Sequence, residues 1–256
     1  RNNFEKEFTG NVAKLSSEKS LILFSCGFSG IQKFIYTIAG KGTLKALRSR
    51  SFYLEILLRH ILDMILEKLG LPPSNILYSG GGQSYMLLPN THETLSTIGA
   101  FIKNVNNWLI DNFSISLYLN SAYTECSVKN LFCITDNYDT IFSNLFSKLT
   151  ENKFRRYSPE QIRYLNSIHG TNDGRECRMC SKSGPINEDG LCTFCKNFIG
   201  VSKYLLDENS LLTILKDTPP CLAGEPRLAL PSATDASSYY LYFLEENQIQ
   251  ALDKSS

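Results

Sequence analysis

Apolar and polar positions follow two different patterns near the beginning of the chain. Residues 21–24 are Leu-Ile-Leu-Phe, followed by Ser, Cys and Gly, and this short run predicts a buried strand. Residues 44–69 place Leu and Ile at helical spacing and a charged side chain at every fourth position from Glu55 to Glu67, which predicts a long amphipathic helix. Between them, Ser29 is expected to cap a short helix that runs through Tyr36. The fold should therefore begin with a strand followed by two helices.

A hairpin, a further helix and a further strand are expected next. Residues 76–78 and 85–88 are apolar and are separated by Ser79-Gly80-Gly81-Gly82-Gln83-Ser84, which predicts a hairpin with a conformationally permissive tip. Asn90, with Glu93 three positions later, predicts the start of a second amphipathic helix. Residues 115–119 alternate between apolar and polar and predict a half-buried strand. Over residues 21 to about 124 this order predicts an α+β fold, a ferredoxin-like palm of the nucleotidyl cyclase and polymerase type.

Composition and charge exclude several broad classes of protein. The chain has 256 residues, 43% of them hydrophobic, with 26 Lys plus Arg against 25 Asp plus Glu. This balance argues against a disordered chain and against a generally basic nucleic-acid binder. The longest apolar stretch, residues 52–69, contains six ionisable side chains, so we expect a soluble chain without membrane contact. Because it begins at Arg1 without an apolar leader, we expect a piece of a longer polypeptide.

Four of the eight cysteines form two closely spaced pairs, Cys177-x2-Cys180 and Cys192-x2-Cys195, separated by eleven residues. Each pair can place two thiolates about 2.3 Å from one tetrahedral zinc ion. Four thiolates leave no position for a water molecule, so the predicted zinc site is structural rather than catalytic. Free thiols that merely cluster are the alternative. The pattern also favours a reducing, cytoplasmic location over a disulfide framework.

The predicted junction of the first strand and helix, near Ser29, and the Gly80-Gly81-Gly82 hairpin are the two points where polymerising palms normally carry metal-binding carboxylates. Neither point contains Asp or Glu here. A helix N-terminus and three glycines remain, and their backbone N–H groups could approach phosphates closely. A flexible turn without a ligand is the alternative.

Positive charge is concentrated on the predicted first helix pair. Residues 25–59 carry six Lys or Arg against one Glu, so the local net charge is 6 − 1 = +5. Such a cluster indicates contact with phosphates or RNA, and a solvated helix face is the alternative. Gly40-Lys41-Gly42-Thr43 is not a P-loop, because the upstream glycine is missing. His60, His92 and His169 are isolated, and since none is followed by Asp, no His-Asp nuclease pair is predicted.

These residues together resemble the large subunit of type III-A CRISPR effector complexes. The resemblance runs through residues 28–36 (Phe-Ser-Gly-Ile-Gln-Lys-Phe-Ile-Tyr), 47–54 (Leu-Arg-Ser-Arg-Ser-Phe-Tyr-Leu), the hairpin at 79–82, 157–161 (Tyr-Ser-Pro-Glu-Gln) and the cysteine pairs. It covers nearly the whole chain. Proteins of this family join a histidine-aspartate nuclease domain to two palms, and the second palm carries Gly-Gly-Asp-Asp.

The resemblance implies a domain order and a function. It implies a lead-in linker over residues 1–20, the first palm over 21–130, a helical region with the zinc ribbon (177–195) over 131–210, and over 211–256 the start of a small domain before a second palm. In the family, the two palms convert ATP, with Mg or Mn, into cyclic oligoadenylates once foreign RNA is bound. The family often has Asp at the position of Gly27, which reinforces the expectation of a palm without metal ligands.

The expected role is a non-catalytic half of the ATP site, inactive in isolation, within a full-length synthetase that also has a nuclease domain. Residues expected near bound ATP are Ser29, Arg50, Ser51, Gly80, Gly81 and Gly82. Arg50 would face triphosphate and Ser51 the base or ribose, although both could instead fix their helix against the sheet. The implied partners are other subunits of the type III-A complex, the CRISPR guide RNA and the target RNA.

Two other classes of function compete with this interpretation. In the first, the palm and ribbon are a scaffold that positions guide RNA and neighbouring subunits without touching a nucleotide. In the second, the chain is a free zinc-ribbon nucleic-acid factor. Residues 175–203 carry five Lys or Arg against three acidic residues, a net charge of 5 − 3 = +2, which does not favour that second class.

Overall fold

The structure, a computed structural model, describes residues 14, 16–38, 42–132, 137–168, 174–181, 183–222, 225–232, 238–245 and 248. Predictions made for most of the lead-in segment, for Lys41 and for His169 lie outside these residues. In chain order, the elements are β1 (Leu21–Ser29), α1 (Ile31–Tyr36), α2 (Thr43–Leu69), β2 (Ile76–Gly80), β3 (Gln83–Pro89), α3 (His92–Phe113), β4 (Tyr118–Cys126), α4 (Val128–Phe132), α5 (Asn137–Phe154), α6 (Pro159–Ile168), α7 (Thr193–Val201), β5 (Leu211–Lys216), β6 (Arg227–Leu230) and β7 (Tyr239–Leu244).

The chain forms two compact units that interleave in sequence. The first contains residues 1–29, 62–106 and 118–158, and the second contains 30–61, 107–117 and 159–256. Helices α2 and α3 each contribute residues to both. The four consecutive domains expected from the sequence stay a prediction. No helix within the described ranges is both long and apolar enough to cross a membrane.

The first unit is built on a four-stranded antiparallel sheet in the order β2-β3-β1-β4. Strand β1 is an inner strand, and its consecutive residues from Ile22 to Cys26 are all buried, so both faces of this strand are shielded from solvent. Helix α5 packs Ile141, Leu145 and Leu149 against Leu23 on this sheet. The mixed α+β class expected from the sequence is confirmed, and the strands and helices around this sheet follow in the predicted order.

The last strand of this sheet begins later than expected. Residues Ser114–Ser116 form a 3-10 helix, with Ser114 at a φ of 54°, so the chain becomes extended only at Leu117 and β4 starts at Tyr118. Asn106 of α3 fixes the beginning of that strand, because its side chain accepts from the N–H of Leu119 at 2.9 Å and donates to the carbonyl of Leu119 at 3.0 Å. The alternation over 115–119 therefore located the strand with an error of a few residues.

Both predicted helix caps are wrong by one residue. Helix α1 is preceded by Gly30 at a φ of 92°, without a side-chain cap, whereas Ser29 is the last residue of β1. A Cβ at position 30 would collide with the carbonyl oxygen of Ser116, so only glycine fits there. At the start of α3, the Oγ1 atom of Thr91, not the side chain of Asn90, accepts from the N–H of Thr94 at 3.1 Å.

The second unit contains an antiparallel three-stranded sheet in the order β5-β7-β6. Strand β7 is an apolar run, and both of its partners, β5 and β6, come from earlier in the chain. Tyr242 and Leu244 of β7 pack with Leu222 to form its core. His60 of α2 belongs to the same unit and is buried, with Nε2 2.9 Å from the carbonyl oxygen of Pro231.

Candidate metal centre and glycine hairpin

The four paired cysteines converge on one point in the second unit. Cys192 is the N-cap of α7 and Cys195 lies in its first turn, while Cys177 and Cys180 lie on the preceding loop. Their four sulfur atoms all lie within 4.8 Å of one another. The structure therefore brings together every predicted metal ligand.

The spacing of the sulfur atoms fits a tetrahedral ion. The Sγ atoms of Cys180 and Cys192 are 3.8 Å apart. Four ligands at about 2.3 Å from a central ion would be separated by about 3.8 Å, whereas a disulfide requires about 2.05 Å. All four cysteines are free thiols. The donor set and its spacing therefore suit a thiolate-bound divalent metal.

Backbone groups hold the sulfur atoms in place. The N–H of Cys192 lies 3.4 Å from Cys177 Sγ, and the N–H of Cys195 lies 3.5 Å from Cys192 Sγ. The turn between the pairs is closed by Asn187, whose Oδ1 accepts from the N–H of Leu191 at 2.8 Å. Gly190 completes this turn at a φ of 70°. The loop thus presents its ligands from a hydrogen-bonded frame.

The thiols of this cluster do not titrate independently. Hydrogen bonds from Cys180 and then Cys195 lower the pKa of Cys192 to about 3. Hydrogen bonds with Cys180 and then with Cys192 raise the pKa of Cys195 above its usual range. A thiolate is the ionisation state of cysteine that binds a metal.

Arg50 lies beside this cluster and not in a solvent-facing position. Its side chain is 3% exposed, Nη1 donates to the carbonyl of Phe34 at 2.6 Å, and Nη2 lies 3.6 Å from Cys195 Sγ. Ser51, the next residue of α2, is exposed. The contacts of Arg50 are with α1 and the cysteine cluster, and the nucleotide role of both residues stays a prediction.

The glycine hairpin belongs to the first unit, where it lies against the end of β1. Gly81 and Gly82 form the turn at φ values of 60° and 77°, and the N–H of Phe28 donates to the carbonyl of Gly82 at 2.9 Å. Gly27 pairs with Gln83 on one side and with Asn120 on the other. Ser29 is two residues further along β1 and largely buried. The structure therefore brings the predicted strand end and hairpin together.

The three hairpin glycines have different surroundings. A Cβ at Gly80 would lie 3.0 Å from the hydroxyl of Tyr78, whereas a Cβ at Gly81 would have no atom within 4 Å. Gly81 is therefore the position that faces open space. No carboxylate occurs in residues 25–30 or 79–84, as the sequence indicated.

Sequence reasoning missed a line of aromatic side chains that begins beside this hairpin. Tyr78 and Tyr85 pair across β2 and β3 with ring centroids 6.1 Å apart, and Tyr85 contacts Phe142 of α5 at 5.7 Å. Tyr78 is 53% exposed. Burial, with a smaller contribution from Tyr78, raises the pKa of Tyr85. The signal was present in the sequence, since both tyrosines lie within three residues of a hairpin glycine.

Comparison with known protein families shows to which family the chain belongs. The family described as Csm1 subunit domain B matches residues 20–168, more than half of the chain. The chain belongs to the Csm1 family. Three Csm1 relatives carry the name CRISPR system single-strand-specific deoxyribonuclease Cas10/Csm1 (subtype III-A). That of Enterococcus italicus is 38% identical over 80% of this chain, that of Mycobacterium tuberculosis 32% over 78%, and that of Thermococcus onnurineus 33% over 73%.

The matched region is a minor part of those Csm1 proteins. It spans 28%, 27% and 25% of their respective lengths. An apo Csm1–Csm4 cassette matches 90% of this chain and 26% of its own with a TM-score of 0.63 at 22% identity, which supports the fold. A Csm1–Csm4 cassette in complex with cA4 matches 56% of this chain and 20% of its own, with a TM-score of 0.52 and 29% identity. The sequence-based recognition of the type III-A large subunit is thereby confirmed.

Proposed function

We propose that this chain is the non-catalytic first palm of a type III-A CRISPR large subunit and forms half of an ATP site for cyclic oligoadenylate synthesis. The carrying observation is a two-glycine turn that is hydrogen-bonded to β1 and lacks carboxylates at both points where a polymerising palm holds its metals. Csm1–Csm4 cassettes solved with cA4 and with pppApApA, both 29% identical to this chain, support the nucleotide part of the proposal.

The turn is suited to hold a nucleotide without performing chemistry on it. Transfer of an adenylate group needs two nucleotides held together, with the 3′-hydroxyl of one in line with the α-phosphate of the other. A carboxylate-bearing second palm would bind Mg or Mn. The open space at Gly81 lets the backbone N–H groups of the turn approach phosphates of the partner nucleotide. Ser29 and Gly80 would shape the same wall.

The cysteine cluster is proposed to hold one structural zinc ion. Its sulfur spacing fits the ion, and four thiolates would close the coordination shell. The ion would contribute folding stability to a segment that has few apolar residues of its own. The proposed setting is a cytoplasmic complex of type III-A subunits with guide RNA and target RNA.

The nucleotide role is tested in the full-length protein within its assembled complex. Gly81→Trp places a bulky side chain in the open space, and Gly81→Asn is the matched control because Asn tolerates a positive φ. We expect Gly81→Trp to reduce oligoadenylate synthesis at least about tenfold, since small misplacements of bound reactants have large effects on rate. Gly81→Asn should retain most of the activity, and both variants should bind target RNA normally.

The possible results separate the competing functions. Unchanged synthesis by Gly81→Trp in an assembled complex would mean that the hairpin is only a turn. Loss of assembly by Gly81→Trp, with the Gly81→Asn complex intact, would support the scaffold function instead.

A further inference from the structure

Arg50 is a buried cation for which the described residues offer no carboxylate partner. It lies on α2 and is 3% exposed, and no Asp or Glu within the described ranges lies at ion-pair distance from it. An arginine side chain stays protonated in proteins, so its charge cannot be removed by titration. A buried charge is costly unless another charge compensates it. Either the surroundings of Arg50 supply an anion, or the free-energy cost of burying its charge is not offset.

The neutral contacts of Arg50 account for only part of its hydrogen-bonding capacity. Nη1 donates to the carbonyl of Phe34 at 2.6 Å, whereas Nε has no partner. The guanidinium also lies 5.3 to 5.9 Å from three aromatic ring centroids, those of Phe34, Phe194 and Phe198. Carbonyl dipoles and aromatic faces attract a cation, but they carry no net charge.

The remaining contact is with a predicted metal ligand. Nη2 lies 3.6 Å from Sγ of Cys195, a side chain that is completely buried and 145 positions away in the sequence. Four thiolates around a divalent ion have a net charge of −2. A buried centre of that charge needs compensation as much as a buried arginine does.

We propose that Arg50 is the counter-charge and positioning residue of the four-cysteine metal centre, acting through a hydrogen bond from its guanidinium to the Cys195 sulfur. The inference rests on the metal site of the proposed function. It accounts for a buried arginine without a carboxylate and for a buried anionic centre at the same time. Backbone N–H groups donate to the sulfur atoms of Cys177 and Cys192. Arg50 donates a hydrogen bond to a third sulfur, that of Cys195.

The same contacts connect the metal centre to two helices. Arg50 is part of α2, and through Nη1 it also binds the carbonyl of Phe34 in α1. Ala46, one turn earlier on α2, packs in the apolar cluster around Cys177 and Cys195. Metal binding should therefore stabilise the beginning of α2 as well as the cysteine loop.

The experiment compares three variants in the full-length protein. Arg50→Met removes the charge and keeps the apolar stem, and Arg50→Lys keeps the charge but loses the planar pair of donors. Arg48→Met is the matched control, because Arg48 is exposed on the same helix. Zinc release to a chromogenic chelator is measured at neutral pH. The thiolate-to-metal charge-transfer band is measured after replacement of zinc by Co²⁺.

We expect Arg50→Met to release zinc at least tenfold faster than the unmodified protein and Arg50→Lys to fall between them. The charge-transfer band should move to lower energy in Arg50→Met, because a thiolate without its cation gives up an electron more easily. The ligand-field bands should keep their tetrahedral pattern. In Arg50→Lys the charge-transfer band should lie between its positions in Arg50→Met and in the unmodified protein. Such an intermediate position would show that Arg50 acts through its charge and not only through packing. Arg48→Met should match the unmodified protein in both measurements.

Two negative results have different meanings. If zinc binds, but neither Arg50 variant changes its release or the charge-transfer band, Arg50 is a packing residue and the inference is wrong while the metal site stands. If the unmodified protein binds no zinc, the metal site fails and the inference fails with it. Should Arg50→Met not fold, the neutral variant Arg50→Gln takes its place, and a charge-transfer band at the position of the unmodified protein in Arg50→Gln would overturn the inference.

Discussion

A Cβ atom at Gly27 would lie 2.7 Å from the carbonyl oxygen of Gly82, closer than side chains and backbone approach in proteins. The same carbonyl accepts a hydrogen bond from the N–H of Phe28 at 2.9 Å, so the hairpin turn cannot easily move away. The absence of a side chain at position 27 is thus a requirement of space. Gly27 is therefore a residue that lets the hairpin lie against β1.

The first prediction follows from this contact. We expect Gly27→Ala to lower the free energy of unfolding by about 1–3 kcal/mol, because the new methyl group must displace backbone. Gly99→Ala is the control, since Gly99 lies exposed on α3 with no atom within 4 Å of its Cβ position, and alanine there should be neutral or stabilising. Urea unfolding of the chain measures both variants. Equal stability of Gly27→Ala and the unmodified chain would contradict the close packing described above.

The second prediction concerns metal content. Protein purified without chelator should contain about one zinc per chain, because four thiolates close a tetrahedral shell. Cys192→Ser should increase hydrogen exchange in residues 175–200 and leave the sheet of β1 to β4 protected, since that sheet has its own core. Cys221→Ser is the control, as this exposed cysteine lies outside the cluster. Elemental analysis without zinc would contradict the assignment.

The sequence predicted those parts of the fold that depend on local patterns. The apolar run at 21–24, the periodicity of α2 and the cysteine spacing each indicated an element that the structure contains. The caps at Ser29 and Asn90 were wrong because a carbonyl of Ser116 and a hydroxyl of Thr91 decide those helix starts. Such choices depend on atoms that a local pattern does not specify.

The candidate site was predictable to the same extent. Arg50 was grouped with the basic residues near it in sequence, whereas its contacts include Phe198 and Cys195, which come about 145 positions later. Its burial depends on those distant residues. The second sheet was missed for a related reason, because β5 and β6 meet β7 only after a reversal of the chain. Long-range contacts of this kind leave no periodic signal in the sequence.

The third prediction is that the chain by itself makes no oligoadenylate and cleaves no DNA. Residues 25–30 and 79–84 contain no carboxylate to hold catalytic metals, and no histidine is followed by aspartate. Incubation with ATP and Mg²⁺ or Mn²⁺, followed by mass spectrometry, measures synthesis, and a labelled single strand measures cleavage. The activated full-length complex serves as the positive control. Product that also appears with a Gly81→Trp preparation would indicate contamination, whereas product absent from that variant would overturn the prediction.

The fourth prediction concerns Cys26, which is completely buried in β1 with Sγ 3.4 Å from the hydroxyl of Ser84. Burial raises the pKa of its thiol from 9.0 to about 12, although the contact with Ser84 acts in the opposite direction. Only a thiolate reacts rapidly with thiol reagents. At pH 8 a reagent should therefore modify exposed Cys221 quickly and reach Cys26 only after denaturation.

The same shift makes stability depend on pH in a defined direction. Because the folded-state pKa of Cys26 lies above the unfolded value, its contribution is fully present below about pH 9 and is lost as the pH rises toward 12. The unmodified chain should lose more stability over this interval than Cys26→Ala, and the comparison cancels the titration of tyrosines and lysines common to both. Urea unfolding at pH 8 and pH 11 measures this difference. Equal losses in the two proteins, or modification of Cys26 in the native state as fast as Cys221, would show that the thiol is not held neutral by burial.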